Sequence, residues 1–104
     1  RHLINEKILK ALGRNGVLIN IARGSVVDET ALVQALTNGI IDGAGLDVFE
    51  NEPHVPDALF NFENVVIQPH QASATNETRK AMGDLTVENL LRHFSGHAPL
   101  TPIN

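Results

Sequence analysis

The chain has 104 residues, enough for one small folded unit, and its 42% hydrophobic residues can supply a core. With 12 acidic against 8 basic residues the formal net charge is -4, and the Lys and Arg residues are dispersed, so no basic stripe is available for nucleic acid. The absence of cysteine excludes a disulfide framework and thiolate metal sites, no metal is expected, and the most apolar stretch, Gly16 to Ala22, is too short to span a bilayer. These features predict a soluble, cytoplasmic protein with no nucleic-acid or membrane partner.

Asn5 reads as a helix cap, with Ile8, Leu9 and Leu12 on one face of the helix and Gly13 and Gly16 as its stop. The chain starts at Arg1 rather than Met and meets that cap almost at once, which predicts that a larger protein begins upstream. Residues 17–22 form a nearly continuous run of branched apolar residues, as expected of a parallel strand covered on both faces, and Arg23-Gly24-Ser25 breaks it. Asp28 is the predicted cap of a second helix, with Leu32, Ala35 and Leu36 as its buried stripe and Gly39 as its end.

Gly43 to Val48 is the next predicted strand. A polar, Pro-containing stretch, Phe49 to Glu63, leads to a third at 64–67, which Pro69 terminates. The longest helix is expected from about Asn76 to Ser95, carrying Met82, Leu85, Leu90, Leu91 and Phe94, with Gly96 as its stop and an irregular tail from Pro99 to Asn104. Strands alternating with helices imply parallel βαβ units, so all three strands should point the same way.

Ligands of open α/β sheets bind beyond the carboxyl ends of the strands. Arg23 follows the first strand, Asp47 ends the second with Glu52 just beyond it, and His70 follows the third, so all four fall on that edge. Each has a plainer reading. Arg23 could neutralise an aspartate of a neighbouring loop, Asp47 could cap a loop, Glu52 could be solvated charge in an acidic turn, and His70 could be a satisfied loop histidine. As a set they make chemical sense: the guanidinium fork suits the carboxylate and carbonyl of a 2-oxo acid, and His70 can give a proton. A carboxylate on the far ring nitrogen, the role assigned to Glu52, favours imidazolium and fixes the ring. Hydride would come from a cofactor.

Three runs carry a resemblance: Leu-Ile-Asn-Ile-Ala-Arg-Gly-Ser-Val-Val-Asp-Glu (18–29), Gly-Ala-Gly-Leu-Asp-Val-Phe-Glu-Asn-Glu-Pro (43–53) and Asn-Val-Val-Ile-Gln-Pro-His (64–70). They resemble the motifs of the D-isomer-specific 2-hydroxyacid dehydrogenases. The resemblance implies an α/β fold, the C-terminal half of a Rossmann-type doubly wound parallel sheet. It implies Arg23, Glu52 and His70 as catalytic residues, with Arg23 on the substrate carboxylate and carbonyl, Glu52 paired with His70, and His70 as acid/base. Asp47 would hydrogen-bond the nicotinamide carboxamide of NAD or NADP, with Ile21, Ala22, Arg23, His70 and Ala72 around the same pocket; Glu50 is not assigned a catalytic role.

The resemblance also implies a 2-oxo or 2-hydroxy acid substrate and a homodimer for the longer protein. Residues 1–104 would be the C-terminal part of the NAD(P)-binding domain, with about 76–104 packing toward a substrate domain. The run from Glu77 to Pro102 looks most like glyoxylate/hydroxypyruvate reductases and hydroxyphenylpyruvate reductases. The family's Gly-x-Gly-x-x-Gly turn would lie upstream of Arg1, and Gly43-Ala44-Gly45 is no substitute because it sits inside a strand instead of opening a helix. Gln68 stands where the family more often has threonine, and Gln71-Ala72 follows His70 in place of a glycine pair. Two other readings stay open: a nucleotide-sensing corepressor of the same fold, and a folded but inactive piece when isolated.

Overall fold

The computed structural model describes residues 1–103. In chain order its elements are α1 (Glu6–Leu12), β1 (Val17–Asn20), α2 (Glu29–Thr37), β2 (Gly43–Leu46), β3 (Val65–Ile67) and α3 (Asn76–Phe94). Short 3-10 turns lie at Gly24–Val26 and Asp57–Asn61. The residues fall into two compact units, Arg1–Ala72 and a second beginning at Ser73.

In the first unit local chemistry sets the helix ends as the residue types predict. The Asn5 side chain accepts the N–H groups of Lys7 and Ile8, and that of Asp28 accepts the N–H of Ala31. Gly13 (φ 80°) closes α1, and Gly39 (φ 61°) turns the chain away just after α2, conformations that glycine adopts without a Cβ penalty.

The strands form one parallel sheet in the order β1-β2-β3, with Leu18, Ala44 and Val65 in one row and Asn20, Leu46 and Ile67 in another. Their carboxyl ends therefore coincide. Pairing continues past the strands, where the N–H of Asp47 donates to the Asn20 carbonyl at 3.0 Å and that of Gln68 to the Leu46 carbonyl at 2.8 Å. The site-bearing loops leave the sheet from a fixed edge.

One face of this sheet holds the core. Leu9 of α1, Ala31, Leu32, Ala35 and Leu36 of α2, and Ala44 and Leu46 of β2 are buried together with Val27, Ile41, Phe49 and Leu59, and Leu18, Val65 and Ile67 pack against them. The other face differs from expectation, because Val17, Ile19 and Val66 are half-exposed or more. A strand buried on both faces needs helices on both, and α1 and α2 contribute to the same core. The strands are also shorter than the apolar runs, since Ile21 and Ala22 belong to the loop after β1.

In the second unit Thr75 caps α3 by accepting the N–H of Thr78. The tail is irregular but anchored: Asn89 accepts the N–H of Leu100 and donates to the Thr101 hydroxyl, and Arg92 donates to the Ala98 carbonyl. Asn104, the last residue of the predicted tail, lies outside the described residues. None of the apolar residues of α3 is buried, so Met82, Leu85, Leu90, Leu91 and Phe94 form an exposed set.

Leu32 is fully buried at the centre of the first unit. Leu32→Ala should therefore lower unfolding stability by about 2–5 kcal/mol, the usual cost of a core truncation and its cavity. Urea unfolding checks this: the midpoint falls while the slope is retained.

Candidate active site

Three loops leave the carboxyl edge of the sheet, and each is shaped by a polar group that the apolar runs bracket. After β1, the buried Asn20 folds its side chain onto the chain that follows, accepting the Ala22 N–H and donating to the Arg23 carbonyl, both at 3.1 Å. This Asx-type closure presents Arg23. The Arg23 guanidinium donates to the Ala22 carbonyl at 2.7 Å, and among the described residues it forms no ion pair. The plainer reading of Arg23, neutralisation of a neighbouring aspartate, is not what the structure has.

Gly24 follows, and its backbone lies directly against the loop after β2. A Cβ built on Gly24 would fall 1.9 Å from the Phe49 carbonyl carbon, so no other residue fits here without moving the backbone. In that second loop the Glu52 carboxylate has two partners. Its Oε1 accepts the Phe49 N–H at 3.0 Å, and its Oε2 lies 2.8 Å from His70 Nδ1. The next N–H, that of Glu50, donates to Glu29 Oε1 at 2.7 Å, while the Glu50 side chain pairs with Arg1 and His2.

The third loop is held by Asp47, which is only 4% exposed. Its two carboxylate oxygens accept the N–H groups of Gln71, at 2.7 Å, and Ala72, at 2.9 Å. These bonds fix the chain on the far side of His70, whose backbone has φ 52°, in the left-handed region where a non-glycine residue is uncommon. The Gln71 side chain also donates to that of Gln68. Asp47 thus meets the loop-holding reading, and its remaining lone pairs leave room for a further donor on each oxygen, since a carboxylate has about four acceptor positions.

Charge follows from these contacts. The N–H of Gln71, then that of Ala72, holds the Asp47 carboxyl below its ordinary range against the opposing effect of burial, with the nearby His70 adding to the lowering. Glu52 is lowered chiefly by its hydrogen bond with His70 and then by the Phe49 N–H. Glu50 is lowered mainly by His2 and next by Arg1. Each remains an anion at neutral pH.

Arg23, Glu52 and His70 line a single cavity of about 500 Å³ together with Gly24, Ser25, Phe49, Glu50 and Asn51. A second, more enclosed cavity of about 310 Å³ backs onto the pair, lined by Asp47, Glu52, His70 and a largely apolar wall of Phe49, Pro53, Val55, Ile67 and Pro69. The structure therefore brings together the residues that the sequence placed on one edge. Ile21 is 65% exposed in the loop after β1, and Ala22 and Ala72 are exposed as well. Gly43-Ala44-Gly45 lies within β2, as read, and offers no loop for a pyrophosphate.

Two contributors escaped the reading of the sequence, Asn20 and Glu29. The signal for Asn20 was present as the one polar residue inside the run 17–22. Glu29 gave none, because an acidic residue in the first turn of a helix is expected on electrostatic grounds alone.

Residues 1–72 match the family model described as the D-isomer specific 2-hydroxyacid dehydrogenase, NAD binding domain, the same stretch that forms the first compact unit. The glyoxylate/hydroxypyruvate reductase A of Arabidopsis thaliana is 58% identical over 103 residues, covering 99% of this chain and 33% of that protein. The hydroxyphenylpyruvate reductase of Plectranthus scutellarioides is 60% identical over 102 residues, covering 98% of this chain and 33% of the relative. Among solved structures, the NADPH-dependent glyoxylate/hydroxypyruvate reductase of Sinorhizobium meliloti, crystallised with NADP and malonate, superposes with a TM-score of 0.81 at 60% identity over 98% of this chain and 32% of that one. The chain thus spans about a third of the length of the relatives it matches.

The lowered carboxyls set the acid side of stability. A group whose folded pKa is depressed contributes stability that is complete above its unfolded value, near 4 for Asp and Glu, and is lost as pH falls through the folded value. Acidification from about pH 5 downward should therefore destabilise the protein progressively. Asp47→Asn should be less stable at neutral pH and show a shallower decline. Urea midpoints across a pH series, compared between the two proteins, decide it.

Proposed function

We propose, from the premise that this chain belongs to the D-isomer-specific 2-hydroxyacid dehydrogenase family, that it carries the proton-transferring and carboxylate-binding residues of an NAD(P)H-dependent reductase of 2-oxo acids. The observation that supports this most is the joint placement of an unpaired guanidinium and a carboxylate-held histidine in one cavity. Similarity to glyoxylate/hydroxypyruvate and hydroxyphenylpyruvate reductases favours small 2-oxo acids such as glyoxylate and hydroxypyruvate as substrates of the whole protein. The NADP complex of the Sinorhizobium meliloti reductase supports use of a nicotinamide dinucleotide.

In this reading Ile21, Ala22, Arg23, Asp47, His70 and Ala72 surround the nicotinamide end, which when bound supplies the hydride. Arg23 binds the substrate carboxylate with its free fork of donors and polarises the adjacent carbonyl. His70 Nδ1 is occupied by Glu52, so Nε2 is the nitrogen left to face substrate. As hydride adds to the carbonyl carbon, the C=O π pair moves onto oxygen, and His70 Nε2–H donates the proton that makes the hydroxyl. Glu52 stays ionised and balances the imidazolium before transfer.

The proposal extends to residues 1–104 as the C-terminal part of the NAD(P)-binding domain, with 76–104 packing toward a substrate domain. The exposed Met82, Leu85, Leu90, Leu91 and Phe94 support an apolar partner for α3. A cytoplasmic protein without a nucleic-acid partner fits the acidic, cysteine-free composition, and the longer protein is read as a homodimer. Taken by itself the 104-residue chain is inactive in this reading, because it contains no glycine turn opening a helix to hold a pyrophosphate.

The assignments separate in a pH–rate series on the full-length protein. Glu52→Gln keeps the shape but removes the charge that favours imidazolium, so 2-oxo acid reduction should fail at a lower pH than in the wild type. Arg23→Lys loses the bidentate fork, which should lower kcat and raise KM together, roughly 10²-fold or more in kcat/KM, without moving that limb. Retention of the wild-type pH dependence by folded Glu52→Gln protein would show the roles to be wrongly assigned.

A further inference from the structure

Glu29 is the first residue of α2, directly after its cap, and its negative charge suits the helix dipole. Its carboxylate has a second engagement. Oε1 accepts the Glu50 N–H at 2.7 Å, a partly buried contact between residues 21 apart in sequence. That N–H belongs to the Phe49–Glu50 peptide, whose carbonyl carbon lies against Gly24.

The N–H one residue earlier, that of Phe49, is held by Glu52 Oε1. Consecutive N–H groups of one turn are therefore held by two carboxylates, and one of these reaches on through Oε2 to His70 Nδ1. Glu29 makes no hydrogen bond with Arg23, Glu52 or His70 among the described residues, so whatever it does for them passes through the turn. Its charged neighbours are Asp28, which lies 4.0 Å from His2, and Glu50, which pairs with His2 and Arg1.

We propose that Glu29 is a positioning residue for the Glu52–His70 pair, its carboxylate fixing the Glu50 N–H and thereby the place at which the Phe49–Glu52 turn delivers the Glu52 carboxylate. This rests on the reading of His70 as acid/base and Glu52 as its partner. A turn whose N–H has lost its carboxylate anchor can shift, and a misplacement of about 1 Å in a reacting group can cost roughly 10²-fold in rate. Gly24 limits the shift on one side of the peptide; Glu29 limits it on the other.

Three variants of the full-length protein separate positioning from helix stability. Glu29→Ala and Glu29→Gln both remove the charge at the helix start, but Gln keeps an oxygen able to accept the Glu50 N–H. Glu29→Asp keeps the charge and withdraws the oxygen by one methylene. Positioning predicts that Glu29→Ala lowers kcat for 2-oxo acid reduction by roughly tenfold or more with little change in KM, since Arg23 is untouched. It also predicts that the Glu52 carboxyl, followed by carbon-13 NMR, titrates closer to its ordinary value, because its depression depends on the His70 and Phe49 contacts.

Glu29→Asp should show the same two effects in smaller measure, and Glu29→Gln should stay near wild type in both. Matching behaviour of the Ala and Gln variants, or wild-type kcat and Glu52 titration in the folded Asp variant, would overturn the proposal. His70→Gln is the control for the pair itself. If the Glu52 titration does not respond to that change either, the acid/base reading has failed and the role of Glu29 fails with it; a response there with none in the Glu29 variants defeats the positioning role alone.

Discussion

The peptide bond between Phe49 and Glu50 is the constraint on which the site depends. On one side it touches the backbone of Gly24 so closely that a Cβ there would overlap the Phe49 carbonyl, and on the other its N–H is held by Glu29. The loop after β1 and the loop after β2 are thereby fixed against each other, which places Arg23 at the cavity that Glu52 lines. Glu52 extends the linkage to the loop after β3 through His70. Parallel strands bring the three loops to one edge; this contact sets their spacing.

The electrostatic plan is equally economical. Carboxylates do most of the backbone fastening at this edge: Asp47 takes two N–H groups beyond His70, Glu52 takes one before itself, and Glu29 takes the next. Each accepted N–H favours the ionised form, and two of these anions, Asp47 and Glu52, are lowered further by the nearby His70. Arg23 is the complement, a cation whose side chain, among the described residues, hydrogen-bonds only to a neighbouring carbonyl and leaves most of its donors open. A guanidinium and a carboxylate-held imidazole thus line one cavity.

The element order, the parallel sheet and the edge carrying Arg23, Asp47, Glu52 and His70 were legible in the sequence because each rests on a local signal. Asn5, Asp28, Gly13 and Gly39 mark helix ends by chemistry that acts within four residues, and the apolar runs mark strands. What was not legible depends on distant partners. The runs cannot say which face stays open, so Val17 and Ile19 were read as covered. Pairing of Glu29 with a residue 21 positions on, and the contact of Gly24 with Phe49, arise only when two loops meet in space.

The central claim is that Arg23 and His70 act on one substrate from adjacent loops. The most direct measurement is a crystal structure of the full-length protein with oxidised cofactor and oxamate, an unreactive analogue of a 2-oxo acid. The account predicts the oxamate carboxylate on the Arg23 guanidinium and its amide carbonyl oxygen within about 3 Å of His70 Nε2, with Nδ1 still on Glu52. Oxamate bound with its carbonyl oxygen away from His70, or with its carboxylate held by some cation other than Arg23, would contradict it.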